Sequence, residues 1–253
     1  MDKGYFKDYY FLERSHWWFL GRLEILISIL KLKVIEENQS KLSILNVGVA
    51  TGATSIALQQ YGNVTSVEYD RECCDFLTEK VKMEVLNASM TALPFEDQSF
   101  DIVCAFDVIE HIEDDLQALK EAFRVLKTNG KLYITVPMYM SLWSDHDVIN
   151  HHYRRYSSKG LTDVVLKSGF EIRYKSFFNS ILFPPIFLVR LLSSLRKKKQ
   201  GDLPKSDFDG VNTNKFINQL LLQVLKIERR MLSLGLQFGF GVSKMIVGKK
   251  VIS

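Results

Sequence analysis

"LNASMTALPFEDQSFDIVCAFDVIEHIEDDLQALKEAFRVLKTNGKLYITVP", residues 86–137, is the stretch whose reading decides the architecture. FDIVCAFD (100–107) and KLYITVP (131–137) are short apolar runs rich in β-formers and read as buried strands. Between them, DLQALKEAFRVLKTNG (115–130) reads as a helix, with Asn129 and Gly130 as its C-terminal stop. Strand, helix and strand in such quick succession imply a parallel pair joined by a crossover.

The same alternation extends outward. LSILNVG (42–48), VTSVEY (64–69) and EVLNA (84–88) read as strands, with helices over TSIALQQY (54–61) and RECCDFLTEKV (71–81). A further helix, SKGLTDVVLKSGF, and strand, EIRYKSFF, follow, and GVSKMIVGKK (241–250) reads as the last strand. The expectation is an α/β fold with a doubly wound, mostly parallel seven-stranded sheet, its ligand at the carboxyl ends of the strands. The core spans 41–180 and its last strand 241–253; residues 1–40 form aromatic-rich cap helices. Residues 181–240 form a helical insertion, with apolar helices at 181–195 and 214–234 around the polar RKKKQGDLPKSDFDG. No internal repeat is visible.

A length of 253 residues, 47% hydrophobic, suits one main domain with an appendage. Three cysteines, two of them the adjacent Cys73 and Cys74, make no disulfide framework, so a reducing, cytoplasmic setting is expected. No export signal is read at the N-terminus, and no segment has the roughly 18 apolar residues of a spanning helix. Charge is uneven: residues 1–170 hold 18 Lys+Arg against 24 Asp+Glu, whereas 171–253 hold 15 against 5. The basic part interleaves its cations with long aliphatic runs, which suits an anionic membrane surface better than nucleic acid.

The first strand leads into NVGVATGATS (46–55), where Gly48 allows a sharp turn and Gly52 opens the next helix. Glu68 closes the second strand, where a carboxylate can accept hydrogen bonds from both hydroxyls of a ribose. The loop keeps only G-x-A-x-G, with Ala50 and Ala53 where a pyrophosphate-binding GxGxxG needs glycine. NAD is thereby disfavoured relative to S-adenosylmethionine, which carries no phosphate.

Residues 86–137 resemble class I S-adenosylmethionine-dependent methyltransferases of the methyltransferase-domain superfamily. The resemblance rests on Leu93-Pro94-Phe95, Ser99-Phe100-Asp101, Glu110-His111 and Leu126-Lys127 with Asn129-Gly130. It implies a Rossmann-like methyltransferase fold and S-adenosylmethionine as cofactor. It further implies that Asn46, Gly48, Ala50, Gly52, Glu68, Tyr69, Ser89, Met90 and Asp107 form the cofactor site. Asn46 and Ser89 stand where the family often has acidic residues. With Ala50, these departures leave a non-catalytic scaffold of the same fold as an alternative.

The acceptor must be read outside those motifs. WSDHDVINHHYRRYSSKGL (143–161) offers His151 and His152 as bases beside His111, and Arg154, Arg155 and Tyr156 as a clamp for phosphate or carboxylate. A surface loop whose arginines pair with nearby acids is the alternative. A similar His-x-x-Arg-Arg-Tyr segment, and a His-Trp-Trp-Phe-x-x-Arg segment like residues 16–22, occur in the bacterial subgroup that the chain resembles most. Trp17 and Trp18 either wall the substrate or pack the cap on the sheet. No metal site is expected, because His151, His152 and Asp147 lack His-x-x-x-His spacing and cysteine partners. Pro184 and Pro185 break any long helix and Arg190 interrupts the apolar run of the insertion, which suits a segment lying in a headgroup region rather than crossing it. A peripheral methyltransferase on the inner face of the membrane, acting on a small or lipid-linked acceptor, is one expectation. Use of the same helices in a homodimer is the other.

Overall fold

A computed structural model describes residues 3–35, 41–195 and 214–251. Seven strands form one sheet in the order β3-β2-β1-β4-β5-β7-β6. The strands are β1 (Leu42–Val47), β2 (Gly62–Glu68), β3 (Leu86–Asn87), β4 (Phe100–Phe106), β5 (Leu126–Pro137), β6 (Phe170–Phe178) and β7 (Ser243–Lys250). Strand β1 is parallel to β2 and β4, and β4 to β5, whereas β7 runs antiparallel between β5 and β6. The chain leaves β1 for β2 and β3 on one side and returns to β4 on the other. That reversal opens a crevice at the carboxyl ends of β1 and β4.

Both faces of the sheet are buried. On one, Leu45, Val103, Leu132 and Ile246 pack under α5 (Asp115–Val125) and α7 (Ser158–Lys167), with Leu119, Ala122, Leu161 and Val165. On the other, Ile44, Ile102, Tyr133 and Val247 meet the cap and the insertion through Ile25, Leu26, Ile29 and Leu225. Strands buried on both faces read as nearly continuous apolar runs, which is why the sequence shows them so plainly.

The cap consists of α1 (Lys3–Ser15) and α2 (Trp17–Ile29), broken at the extended His16. Two further helices, α3 (Ala53–Leu58) and α4 (Arg71–Phe76), follow β1 and β2; α6 (Asp145–Ile149) follows β5. The insertion supplies α8 (Phe183–Leu195) and α9 (Lys215–Ser233). Helix α9 is stapled to the break in the cap: Trp17 N–H donates to Asn218 Oδ1 at 2.8 Å, and Asn218 Nδ2 to the Ser15 carbonyl at 3.1 Å.

Two local expectations change. Helix α5 ends at Val125 instead of Gly130, because Leu126 already pairs with Phe100 in the sheet and Lys127 reaches Asp101 at 2.9 Å. Asn129, at φ 65°, then lies within the bulged start of β5. Pro184 and Pro185 do not interrupt α8; they occupy its first turn, where a missing N–H costs no intrahelical bond. The polar segment RKKKQGDLPKSDFDG lies outside the described residues.

Candidate active site

A cavity of about 1230 Å³ lies over the carboxyl ends of β1, β2 and β4, roofed by α1, α2 and α8. At its floor, Gly48 turns the chain at φ 67°, and a Cβ there would come within 2.4 Å of Val108 Cγ2. Only glycine fits that position. Ala50 also adopts a left-handed φ of 48°, as do Asp107 at 57° and His151 at 56°, so backbone strain gathers around the cavity.

Glu68 holds this loop from the neighbouring strand. Its carboxylate accepts from Ala50 N–H at 3.1 Å, from Tyr69 N–H at 2.8 Å and from Asp70 N–H at 3.1 Å. Burial raises its pKa against the lowering effect of those amides. From the cap, Glu13 accepts the Thr51 hydroxyl and Arg14 donates to the Thr51 carbonyl at 3.1 Å. Glu13, Glu68, Asp70 and Asp107 all line the cavity. Such surroundings repel a pyrophosphate and suit a sulfonium bearing an ammonium group. The glycine floor, the carboxylate at the end of β2 and this charge therefore fit S-adenosylmethionine.

Seven of the nine residues expected at the cofactor site line the cavity: Gly48, Ala50, Glu68, Tyr69, Ser89, Met90 and Asp107. Asn46 and Gly52 do not. The Asn46 side chain is buried and donates to Thr54 Oγ1 at 3.0 Å and Ser55 Oγ at 2.9 Å, bracing the start of α3 from beneath. Gly52 caps α3 at φ 90°, against Met83.

At the end of β4, Asp107 accepts Arg22 Nη2 at 2.5 Å and Thr135 Oγ1 at 3.1 Å. Next to it, Glu110 is 0% exposed, and neither carboxylate oxygen bonds another residue. Burial, and then the nearby Asp107 charge, push its pKa well up. His111 opens on the cavity with Nδ1 2.8 Å from the Asn150 carbonyl; burial of the ring and then His152 lower its pKa to about 4. The His111 and His152 rings meet edge to face at 4.4 Å. His151 also lines the cavity.

The arginine pair is not a free clamp. Arg155 is buried and donates to Asp147 Oδ1 at 2.7 Å; Arg154 pairs with Asp115 at 2.9 Å and donates to the Glu113 carbonyl at 2.7 Å. Tyr156 is buried, its hydroxyl on Asp115 at 2.6 Å. Arg154 and Tyr156 do not line the cavity, and Arg155 does so only beside its ion pair. The segment instead fastens the loop to the sheet and presents His152, whose Nδ1 meets Asp147 at 2.8 Å. Burial would raise the Asp147 pKa, but the bonds from His152 and Arg155 hold it well below the usual range. Trp17 and Trp18 both line the cavity, and Trp18 stacks on Arg22 at 5.4 Å. Glu13 carries no signal in the sequence, because what singles it out is the Thr51 hydroxyl that the fold brings to it; Arg22 ends the His-Trp-Trp-Phe-x-x-Arg segment, and only the structure pairs it with Asp107.

Residues 45–134 match the sequence profile of the family described as "Methyltransferase domain". Over 110 residues the chain is 32% identical to a probable S-adenosylmethionine-dependent methyltransferase of Mycobacterium tuberculosis, a match covering 42% of this chain and 40% of that protein. Over 95 residues it is 34% identical to a demethylmenaquinone methyltransferase of Lactobacillus johnsonii, covering 33% and 39%. The fold superposes on a Thermotoga maritima structure described as an S-adenosylmethionine-dependent methyltransferase, possible histamine N-methyltransferase. There the TM-score is 0.60 at 18% identity, covering 98% of this chain and 95% of that one. Residues 45–134 thus carry the methyltransferase-domain signature, within a seven-stranded fold shared with that solved structure. The chain spans about two-fifths of the length of these two curated relatives.

Proposed function

We propose that the protein transfers the methyl group of S-adenosylmethionine to an oxygen of an amphipathic or lipid-linked acceptor, such as a glycolipid, a polyprenyl-linked sugar or a quinone-type precursor. The observation that carries the reading is the continuity of the cavity. It runs from the Glu68 carboxylate and the Gly48 turn, past Asp107 and His111, to the apolar side chains Leu182, Ile186 and Val189 at the mouth. The adenosyl group rests on the loop with its ribose hydroxyls on Glu68, and the acceptor enters along α8.

The transfer is an in-line displacement. The acceptor oxygen's electron pair forms the bond to the methyl carbon while the carbon–sulfur pair returns to sulfur, and the acceptor proton leaves to a base. Glu110, His111, His151 and His152 line the cavity beside Asp107 and are the candidate acceptors of that proton. The surroundings of α8 support a membrane-borne acceptor: Leu188 and Val189 are 55% and 64% exposed, and Phe216 on α9 is 72% exposed. Among the described residues no helix is long and apolar enough to cross a membrane, so these helices suit the headgroup plane. The similarity to a demethylmenaquinone methyltransferase is compatible with a quinone-type acceptor; such a quinone takes its methyl on a ring carbon, so the likeness bears on the acceptor's class and not on the oxygen.

Calorimetric titration with S-adenosylhomocysteine and, separately, with NAD tests the reading. Binding of the first alone supports it; binding of NAD alone overturns it, and binding of neither leaves a scaffold of the same fold.

A further inference from the structure

We propose that Glu110, His111 and His152 bind one first-row divalent transition-metal ion, which holds the acceptor oxygen opposite the cofactor. Binding of the ion stands on the geometry alone; its use in methyl transfer rests on the function proposed above.

One ligand atom from each of the three residues can be chosen so that all lie within 4.8 Å of one another. Glu110 and His111 sit on the turn after β4, and His152 lies some 40 residues further along, so no local spacing reveals the group. The loop brings them together. Tyr153 N–H donates to the Glu110 carbonyl at 2.8 Å, and His152 N–H to the Asp147 carbonyl at 2.9 Å.

Both imidazoles are held as ligating imidazoles usually are. His111 Nδ1 faces the Asn150 carbonyl, which can only accept, so Nδ1 carries the proton and Nε2 keeps its lone pair. His152 Nδ1 faces the carboxylate of Asp147, itself fixed by Arg155 and by Ser144 N–H at 2.8 Å, with the same result. Outer partners of this kind fix ring orientation and raise ligand basicity at metal centres.

Glu110 completes the argument. A fully buried carboxylate whose oxygens bond no other residue is costly unless it is protonated or faces a cation. No guanidinium hydrogen-bonds Glu110: Arg22 directs Nη2 to Asp107, and Arg155 directs Nε to Asp147. Two imidazoles and one carboxylate favour zinc, iron, cobalt or manganese over magnesium and calcium, which prefer all-oxygen sets. Three protein ligands leave positions for an acceptor hydroxyl. With Glu110, His111 and His152 on the ion, they no longer serve as bases; coordination would instead acidify that hydroxyl, its proton passing to solvent before the oxygen attacks the methyl carbon.

The test uses Co2+ as probe, titrated into the chelator-treated full chain and followed by visible absorption and proton NMR. The expected result is one equivalent bound, with two exchangeable, paramagnetically shifted imidazole N–H signals from the retained Nδ1 protons. Glu110→Gln and His152→Ala should each weaken binding by more than about 100-fold, beyond the loss typical of outer partners, while S-adenosylhomocysteine affinity persists. Absence of saturable Co2+ binding, fewer than two shifted N–H signals, or unchanged affinity in both variants overturns the proposal. Should the variants fail to fold, the wild-type N–H signals decide. A protein that binds Co2+ here but not S-adenosylhomocysteine keeps the metal site and loses the methyltransferase reading; the reverse result loses only the site.

Discussion

Glu68 does two jobs with one carboxylate: it ties Ala50 to the second strand and lines the cavity. Hydrogen bonds to a charged group are worth roughly 1.5–3 kcal/mol each, so Glu68→Gln should weaken S-adenosylhomocysteine binding by roughly ten- to a hundred-fold in calorimetry. Lys244 is an unusual residue outside the site, a lysine buried in β7, between β5 and the edge strand β6, with its ammonium on Ser158 Oγ and 5.2 Å from the Phe177 ring. Burial, and then the Lys175 charge, lower its pKa to about 8 from 10.5. Between those values the unfolded chain holds a proton that the folded chain has lost, so folding stability from this group rises with pH from 8 to 10.5. Below 8 the penalty is constant, and above 10.5 it vanishes. Urea denaturation across that window should show a slope of at most about 1.4 kcal/mol per pH unit that is missing in Lys244→Met.

Among elements, the contact between α2 and α9 governs how the cap sits over the cofactor loop. Gly21 lets the two helices approach: a Cβ there would fall 2.5 Å from Leu225 Cδ1 and 2.7 Å from Leu225 Cβ. The second contact is to a rigid atom, so the helices themselves would have to part. Gly21→Ala gains helix propensity yet should destabilise by about 1–3 kcal/mol through overpacking. Adding Leu225→Gly removes both clashing atoms, so the double variant should be less destabilised than the sum of the single ones in chemical denaturation. The cap was legible as helices because its aromatic and aliphatic residues recur at helical spacing. Its partner was not, because α9 lies about 200 residues away and pairs through an absent side chain rather than a recognisable one.

Across the whole molecule, charge and apolar exposure are segregated. The acidic part, residues 1–170, carries the cofactor loop, whereas the basic part carries α8 and α9 with their exposed leucines and phenylalanines. Vesicles containing anionic lipid should therefore co-sediment the protein and release it as salt rises, with weaker capture by neutral vesicles. Leu188→Glu combined with Val189→Glu alters only exposed positions and should abolish co-sedimentation without loss of fold. If capture persists in that variant, the headgroup contact does not run through α8. Concentration-dependent dimerisation lost in the same variant would assign this face to a second copy of the chain instead.

The alternation of buried runs and helices, the glycine turn at 48 and the strand-end carboxylate at 68 could be read along the chain because each depends on neighbours within a few residues. Periodicity and backbone freedom are local properties, and they suffice to specify a doubly wound sheet with a cofactor loop. The roles of Arg154, Arg155 and His152 could not be read that way. Whether an arginine clamps a ligand or neutralises Asp147 or Asp115 depends on which acids the fold brings within 3 Å, and which imidazole nitrogen keeps its lone pair depends on what its other nitrogen meets. Charge pairing and desolvation are set by distance through space, and only the tertiary structure decides that distance.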